Sequence, residues 1–143
     1  MTAIAFHFNA PNKLAYACRL LRKACGAGSS VAVVAEEAGL AQLDEQLWSF
    51  SALDFVPHVR MGRMPVAQQA QTPVWLCETA VQGNGRQVLV NLTPQVLQGF
   101  EQFERLIEVV SLDDADRQQA RSRWKYYTER GYEIVRHDLK LQA

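Results

Sequence analysis

The hydrophobic pattern of the chain alternates between short apolar runs, which predict strands, and longer segments with helical spacing. Residues 12–25 place apolar side chains on one helical face, and residues 37–48 predict a second amphipathic helix. Residues 113–130 predict the last long helix, which starts at an acidic cluster and ends at Gly131. Val31 to Ala35 is a continuous apolar run, as expected of a parallel strand covered by helices on both faces. The predicted strands are Ala3–Phe8, Val31–Ala35, Val74–Cys77, Gln87–Leu92, Leu106–Val110 and Tyr132–Leu139. This order predicts a three-layer α/β domain with a mostly parallel, Rossmann-like sheet.

The middle of the chain has a less regular pattern. Val59 to Thr72 has no stable period and is predicted to be a loop. Gly83-Asn84-Gly85 is typical of a turn and favours an antiparallel hairpin between the two strands beside it, which would make the sheet mixed. Thr93 and Pro94 predict the start of a short helix that runs toward Phe103. Asn9 is the predicted N-cap of the first helix.

Length and charge exclude several classes of protein. The 143 residues suit one domain spanning positions 1–143. Fifteen basic and fifteen acidic side chains cancel, whereas a dedicated nucleic-acid binder normally carries a net positive charge. The N-terminus has no leader-like pattern and no apolar run reaches membrane-spanning length, so we expect a cytoplasmic protein. Cys18, Cys25 and Cys77 are predicted to be small apolar residues of the core.

The turn after the first predicted strand lacks the glycines of a nucleotide-binding loop. It reads Asn9-Ala10-Pro11-Asn12, and Gly26-Ala27-Gly28 lies at the opposite end of the helix. The three histidines stand far apart, without the spacing of metal ligands or of a catalytic base beside a nucleophile. We therefore expect no cofactor, no metal and no catalytic residues.

The last predicted helix carries a stripe of positive charge. Arg117, Arg121 and Lys125 recur every four residues, and Trp124 lies beside them. Such a stripe suits an anionic, partly hydrophobic partner, such as an acidic peptide or single-stranded nucleic acid. A solvated helix face that balances the acidic residues at positions 113, 114 and 116 explains the stripe equally well.

A second candidate surface lies at the end of the second predicted helix. Trp48 closes this helix, and Phe55-Val56-Pro57-His58 follows as an extended segment. Pro57 cannot donate a ladder hydrogen bond, so the segment should lie at the surface. Trp48 and Phe55 form either a docking surface or a small cluster packed beneath a loop.

These motifs together resemble the chi subunit of bacterial DNA polymerase III holoenzyme. The resemblance rests on Leu43-Asp44-Glu45-x-Leu47-Trp48, Phe55-Val56-Pro57-His58, Glu108-Val109-Val110, Ala120-Arg121-x-Arg123-Trp124-Lys125-x-Tyr127 and Gly131-Tyr132. Their order and spacing agree with that family, and the resemblance runs essentially from end to end. It implies a Rossmann-like fold that has lost nucleotide binding.

The resemblance also implies a noncatalytic adaptor with two partners in DNA replication. Chi proteins bind the psi subunit, which tethers them to the clamp loader, and the acidic C-terminal tail of single-stranded-DNA-binding protein, which ends in an aromatic residue. By position, the tail-binding residues are Arg117, Arg121, Trp124 and Lys125. The psi-facing residues are Trp48, Phe55, Val56 and Pro57.

Three further expectations accompany these assignments. The resemblance connects the psi-facing surface with a helicase-like repair partner as well. It also implies a replisome-associated protein that meets DNA only indirectly and does not bind membranes. A module that binds single-stranded nucleic acid directly through the basic helix is the alternative.

Overall fold

The computed structural model describes residues 2–49, 56–61 and 72–142. Its strands form one seven-stranded sheet in the order β3-β4-β2-β5-β6-β1-β7, and every pair of neighbours is parallel. The strands are β1 (Ala3–Ala10), β2 (Val31–Val34), β3 (His58–Arg60), β4 (Val74–Cys77), β5 (Val88–Asn91), β6 (Arg105–Ser111) and β7 (Ile134–Asp138). The α-helices are α1 (Lys13–Gly26), α2 (Glu37–Ser49) and α3 (Asp114–Glu129).

Helical segments cover the sheet on both faces. The first face packs against α1 and α2, and the second packs against α3 and short 3₁₀ turns, which include Val81–Gly83 and Phe100–Gln102. The strand β2 shows the arrangement most clearly, because Val31 and Val33 join the core under α1 and α2 while Ala32 and Val34 join the core under α3. The prediction of a three-layer α/β fold is confirmed.

Side-chain caps define where two of the helices begin. The Oδ1 atom of Asn12 accepts a hydrogen bond from the backbone N–H of Ala15 at 3.1 Å, so Asn12 is the N-cap of α1. The prediction of Asn9 as this cap was wrong: Asn9 belongs to β1 and has a φ of 65°. Asp113 caps α3 in the same way as Asn12 caps α1, since its carboxylate accepts from the N–H of Asp116 at 3.1 Å.

The predicted antiparallel hairpin was wrong. The strands β4 and β5 both pair with β2, which lies between them, and all three run parallel. Their connection crosses β2 through the 3₁₀ turn Val81–Gly83. Gly83 makes this crossing possible, because a Cβ atom there would lie 2.4 Å from the Cβ of Ala32. The glycines around position 83 thus belong to a crossover packed on the sheet.

The predicted helix after Thr93 was also wrong. Asn91 Oδ1 accepts hydrogen bonds from the N–H and the hydroxyl of Thr93 at 2.8 and 2.7 Å, and its Nδ2 donates to the carbonyl of Gln95 at 2.8 Å. These local bonds compete with helix formation. The segment instead forms turns that end in the 3₁₀ turn Phe100–Gln102.

The predicted loop over positions 59–72 contains a short strand at its start. The edge strand β3 begins at His58, directly after Pro57, and pairs with β4. Residues 62–71 of this predicted loop lie outside the described residues.

Candidate functional site: a cationic pocket beside the last helix

A buried polar network holds α3 on the sheet. Glu108 on β6 accepts hydrogen bonds from Arg123 Nε at 3.0 Å, from the Tyr127 hydroxyl at 2.5 Å and from Asn91 Nδ2 at 3.1 Å. Arg123 also donates from Nη1 to the carbonyl of Pro94 at 2.9 Å. Burial raises the pKa of Glu108, and the nearby Arg123 guanidinium opposes this shift. The network fixes the rotation of α3 about its axis, because Arg123 and Tyr127 must both point at the sheet.

Between α3 and the neighbouring strands lies a pocket of about 430 Å³. Its interior is aromatic: the ring of Trp124 meets the ring of Phe6 edge-on, with centroids 5.2 Å apart, and Phe8 lines the same space. Arg117 and Arg121 reach the pocket from α3, and Arg136 reaches it from β7. The volume falls within the roughly 300–1,000 Å³ typical of ligand pockets. An apolar interior with a cationic rim suits an anionic ligand that carries an apolar group.

The acidic side chains next to this pocket are occupied elsewhere. Asp116 accepts hydrogen bonds from the N–H and hydroxyl of Ser111 at 2.8 and 2.9 Å, and it pairs with Lys13 at 3.3 Å. Burial alone would raise the pKa of Asp116, but the Ser111 hydrogen bonds and the Lys13 charge lower it. Asp138 accepts from Asn9 Nδ2 at 2.9 Å, a bond that lowers its pKa.

The arginines of the pocket are exposed, and the charge of Arg136 also acts on Asp138, whose pKa it helps to lower. Across the described parts of the chain, Arg117, Arg121 and Arg136 form no ion pair with an acidic side chain. Three cations therefore surround an aromatic interior in a protein whose formal net charge is zero. This local imbalance is the strongest electrostatic feature of the pocket, and it attracts anionic groups.

The structure brings three of the four predicted tail-binding residues together. Arg117, Arg121 and Trp124 all line the pocket. Lys125 does not line it; its ammonium group lies 3.9 Å from the carboxylate of Glu129 on the exposed side of the helix. The evenly spaced positive charges therefore lie in two different environments: Arg117 and Arg121 line the pocket, and Lys125 lies on the solvated helix face.

Sequence reasoning missed Phe6, Phe8 and Arg136. The two phenylalanines alternate along β1 and so point to the same face, which is a signal that the sequence does contain. Arg136 gives no such signal, because it meets the pocket only through the pairing of β7 with β1, in which it stands beside Phe6. That register is a property of the folded sheet.

The second candidate surface is partly exposed. The side chain of Trp48 at the end of α2 is 65% exposed, and its ring lies 5.4 Å from the ring of His58. Asp44 holds His58 in place, since its carboxylate lies 2.7 Å from His58 Nε2. Pro57 is exposed, whereas Val56 is 2% exposed and belongs to the core under α1 and α2. Phe55 lies outside the described residues.

A smaller pocket of about 290 Å³ lies at the carboxyl ends of β2 and β5, where open α/β sheets commonly bind ligands. It is lined by the first turn of α1, by residues that follow these strands, by Gly39 of α2 and by Asp116 and Gln119 of α3. Here Asn12 accepts a hydrogen bond from the N–H of Ala15 in the first turn of α1, and Lys13 pairs with Asp116.

No cluster of three or more His, Cys, Asp or Glu side chains could hold a metal ion within the described ranges. None of the helices in those ranges is both long enough and apolar enough to span a bilayer.

The cysteines behave as core residues where they are buried. Cys18 and Cys77 are both fully buried, as predicted, and Cys25 is half-buried. Burial raises the pKa of the Cys77 thiol to about 12 and also raises the pKa of Cys18. A raised pKa keeps a thiol protonated, which lowers its reactivity.

Fold and pocket together define a Rossmann-like α/β protein whose prominent site is a cationic, aromatic pocket beside its last helix. The C-terminal domain of the DEAD-box protein Dbp5 has the same fold, with a TM-score of 0.65 over 98% of this chain and 91% of that chain. The two are 13% identical, so the likeness concerns the fold alone.

The sequence identifies the family within this class. The family model of the DNA polymerase III chi subunit, HolC, matches residues 1–135, and the chain belongs to this family. It is 37% identical to DNA polymerase III subunit chi of Pseudomonas aeruginosa, over 89% of this chain and 87% of that protein. It is 33% identical to the subunit of the same name from Haemophilus influenzae, over 82% of this chain and 81% of that protein. The resemblance noted from the sequence motifs is confirmed, and membership of this family places the chain in DNA replication.

Proposed function

We propose that this chain is a noncatalytic accessory subunit of the clamp-loader assembly that bridges the psi subunit and the acidic tail of single-stranded-DNA-binding protein. The observation that carries the proposal is the pocket that combines the rings of Phe6 and Trp124 with the charges of Arg117 and Arg121. Membership of the chi family supports it. In this proposal the chain acts in the cytoplasm as one domain, residues 1–143, and meets DNA only through its partners.

The chemistry of the pocket matches an acidic peptide that ends in an aromatic residue. The aromatic ring would pack against Phe6 and Trp124, and Arg121 would be the central contact for a carboxylate. Arg117, one helical turn away, would hold a second acidic group. Lys125 lies outside the pocket and would contribute a weaker, solvent-screened attraction.

The psi-facing surface is proposed around Trp48 and the segment that precedes β3. An exposed Trp at a helix end is a typical anchor for a protein partner. Pro57 would extend the same surface, Phe55 would complete it, and the buried Val56 would hold the segment on the core. Psi would then link the chain to the clamp loader, and a helicase-like repair protein would compete for this patch.

The first experiment separates the adaptor from a direct nucleic-acid binder. The wild-type protein is titrated by calorimetry with an acidic peptide that ends in Pro-Phe and, in parallel, with a single-stranded oligonucleotide. We expect the peptide to bind more tightly. We expect Arg121→Ala to weaken peptide binding at least about tenfold, because a charge-assisted hydrogen bond contributes roughly 1.5–3 kcal/mol.

The matched control for this substitution is Lys125→Ala, which removes the same charge from the same helix outside the pocket. We expect it to change peptide affinity by no more than about threefold, since exposed charges contribute little. If the oligonucleotide binds more tightly than the peptide and both substitutions weaken it equally, the helix binds single-stranded nucleic acid directly and the adaptor is wrong.

The second experiment tests the separate psi surface. Pull-down of psi by wild type, Trp48→Ala and Val81→Ala compares two exposed apolar side chains, at 65% and 64% exposure, on different parts of the fold. We expect only Trp48→Ala to lose psi, with peptide binding unchanged in both variants. A loss of psi in neither variant, or in both, would argue against a psi surface around Trp48.

A further inference from the structure

The end of α2 carries negative charge that lacks a basic residue beside it. Helix α2 contains Glu37, Asp44 and Glu45 but no lysine or arginine, and so its last turn has no basic residue. The carbonyl groups at the end of a helix add a partial negative charge, which a basic side chain commonly offsets. In α1, Lys23 stands in the last turn and has this role. The last turn of α2 therefore lacks the cation that a helix end favours.

Two of the three acids are already paired within the protein. Glu37 Oε1 accepts a hydrogen bond from Arg60 Nη2 at 2.7 Å. The Asp44 carboxylate lies 2.7 Å from His58 Nε2. Glu45 is exposed and forms no ion pair with any basic side chain that the structure describes. Glu45 is thus the acid of this helix whose charge is left for a partner.

Glu45 lies next to the exposed ring of Trp48. The two residues are three positions apart on α2, so they are neighbours on one side of the helix. Trp48 is 65% exposed, but its ring lies 5.4 Å from the ring of His58, whose side chain is only 1% exposed. His58 is fixed at both ring nitrogens, since the Val56 carbonyl lies 2.6 Å from Nδ1 and Asp44 lies against Nε2. An oriented apolar ring and a free carboxylate therefore share one surface.

We infer that this surface binds a segment of psi that presents a basic side chain next to an apolar one. The inference rests on the proposed function and adds the chemistry of the partner. The apolar side chain would pack on the ring of Trp48. The basic side chain would pair with Glu45 and with the carbonyl groups at the end of α2. Glu45 then selects the partner by charge.

Opposite charges keep the two partners on separate surfaces. The pocket beside α3 is cationic and suits an acidic peptide, whereas the end of α2 is anionic and repels one. An acidic tail would therefore not occupy the psi-facing surface, and a basic segment would not occupy the pocket. The chain could then hold both partners at the same time.

The test measures psi binding by surface plasmon resonance at several salt concentrations. We expect Glu45→Gln to weaken binding about threefold to tenfold, mainly through slower association, and to reduce the dependence of affinity on salt. Glu45→Lys should weaken binding by more than about tenfold, because like charges then face each other. Trp48→Ala should lose affinity through faster dissociation and keep the salt dependence of wild type.

The matched control is Glu101→Lys, which makes the same change of charge elsewhere. Glu101 is exposed in the 3₁₀ turn Phe100–Gln102, which packs on the other face of the sheet. This variant should bind psi as wild type does. Both lysine variants should keep their affinity for the acidic Pro-Phe peptide, which shows that each of them is folded.

The contrary results separate the inference from the proposed function. If Glu45→Lys binds psi as tightly as wild type while Trp48→Ala does not, Trp48 anchors psi without a charged contact; the inference is overturned and the proposed function survives. If Glu101→Lys weakens psi binding as much as Glu45→Lys, the effect is one of net charge, which also overturns the inference.

Two other results are decisive as well. If Trp48→Ala binds psi as wild type does, the proposed psi-facing surface is wrong and the inference fails with it. If Glu45→Lys loses the peptide as well as psi, the conservative variant Glu45→Gln decides through its salt dependence. A salt dependence equal to that of wild type then overturns the inference, and a reduced one supports it.

Discussion

Arg123 donates a hydrogen bond from Nε to Glu108 Oε1 over 3.0 Å, and the two side chains are only 2% and 0% exposed. This buried ion pair joins α3 to β6 at the level of the pocket. Replacing such a pair by apolar residues is often neutral, but breaking it leaves a buried charge without compensation. In this protein the ion pair sets the orientation of α3. With Arg123 turned toward the sheet, Trp124 lies against Phe6 and Arg121 faces the pocket.

The hydroxyl of Tyr127 should contribute measurably to this network. Tyr127→Phe removes the hydrogen bond to Glu108 and leaves the ring, so we expect the free energy of unfolding to fall by roughly 1.5–3 kcal/mol in urea denaturation. Tyr126→Phe is the control, because Tyr126 is half-buried next to Tyr127 but donates no hydrogen bond to a described residue. Equal losses in the two variants would show that the Glu108 bond contributes nothing.

The crossover at Gly83 should tolerate no side chain. Gly83→Ala places a methyl group against Ala32 on the central strand β2, and we expect a loss of about 1–3 kcal/mol in the free energy of unfolding from overpacking. Gly26→Ala, at the last residue of α1 with open space around it, should change stability by less than about 1 kcal/mol. A stable Gly83→Ala variant would contradict the close contact between the crossover and β2.

The stability of the protein should fall between pH 6.5 and pH 4 through His7. Burial, the neighbouring His137 ring, Arg105 and Lys23 lower the pKa of His7 from 6.5 to about 4. The unfolded chain therefore takes up a proton at a higher pH than the folded protein, and acidification favours unfolding until both forms are protonated below about pH 4. The His7 ring is partly exposed, so we expect about 1–2 kcal/mol after solvent screening.

Urea denaturation of wild type and His7→Phe across this pH range measures the contribution of His7. The variant should lose part of the decline, since Phe keeps an aromatic ring without a titrating group. An NMR titration of the His7 ring should give a midpoint well below 6.5. Identical pH profiles for the two proteins would show that another group causes the decline.

Peptide binding to the pocket should depend on salt. The arginine side chains are exposed at the rim, and the screening length shrinks from about 10 Å at 0.1 M salt to about 3 Å at 1 M. We expect the affinity of wild type for the acidic peptide to fall steadily over this range in fluorescence titrations. Arg117→Ala should show a shallower dependence, whereas an unchanged dependence would place Arg117 outside the interaction.

Local patterns were sufficient to predict most of the secondary structure. The apolar run at Val31 and the helix Asp114–Glu129 were predicted close to their observed bounds, because burial on two faces and acidic residues at a helix start are both visible in neighbouring positions of the sequence. The hairpin prediction failed for the opposite reason. Glycines near position 83 indicate a change of direction, but the neighbour of each strand depends on pairing with β2, more than forty residues earlier.

The candidate site shows the same division. Arg121 and Trp124 follow from helical spacing, and the family resemblance assigned them a role before the structure placed them in one pocket. The spacing did not reveal that Arg123, two residues from Arg121, is buried. Glu108, fifteen residues away in sequence, decides this difference because a buried charge needs a partner.

The sequence by itself determined the α/β class, the basic last helix and the family. Tertiary structure alone decided that β1 lies between β6 and β7, which brings Phe6 and Arg136 to the face of α3. The physical reason is the distance along the sequence between the residues that make contact. The periodicity of a helix or strand reflects contacts between residues that are close in the sequence. Strand order and register arise from the burial of side chains that are distant in the sequence.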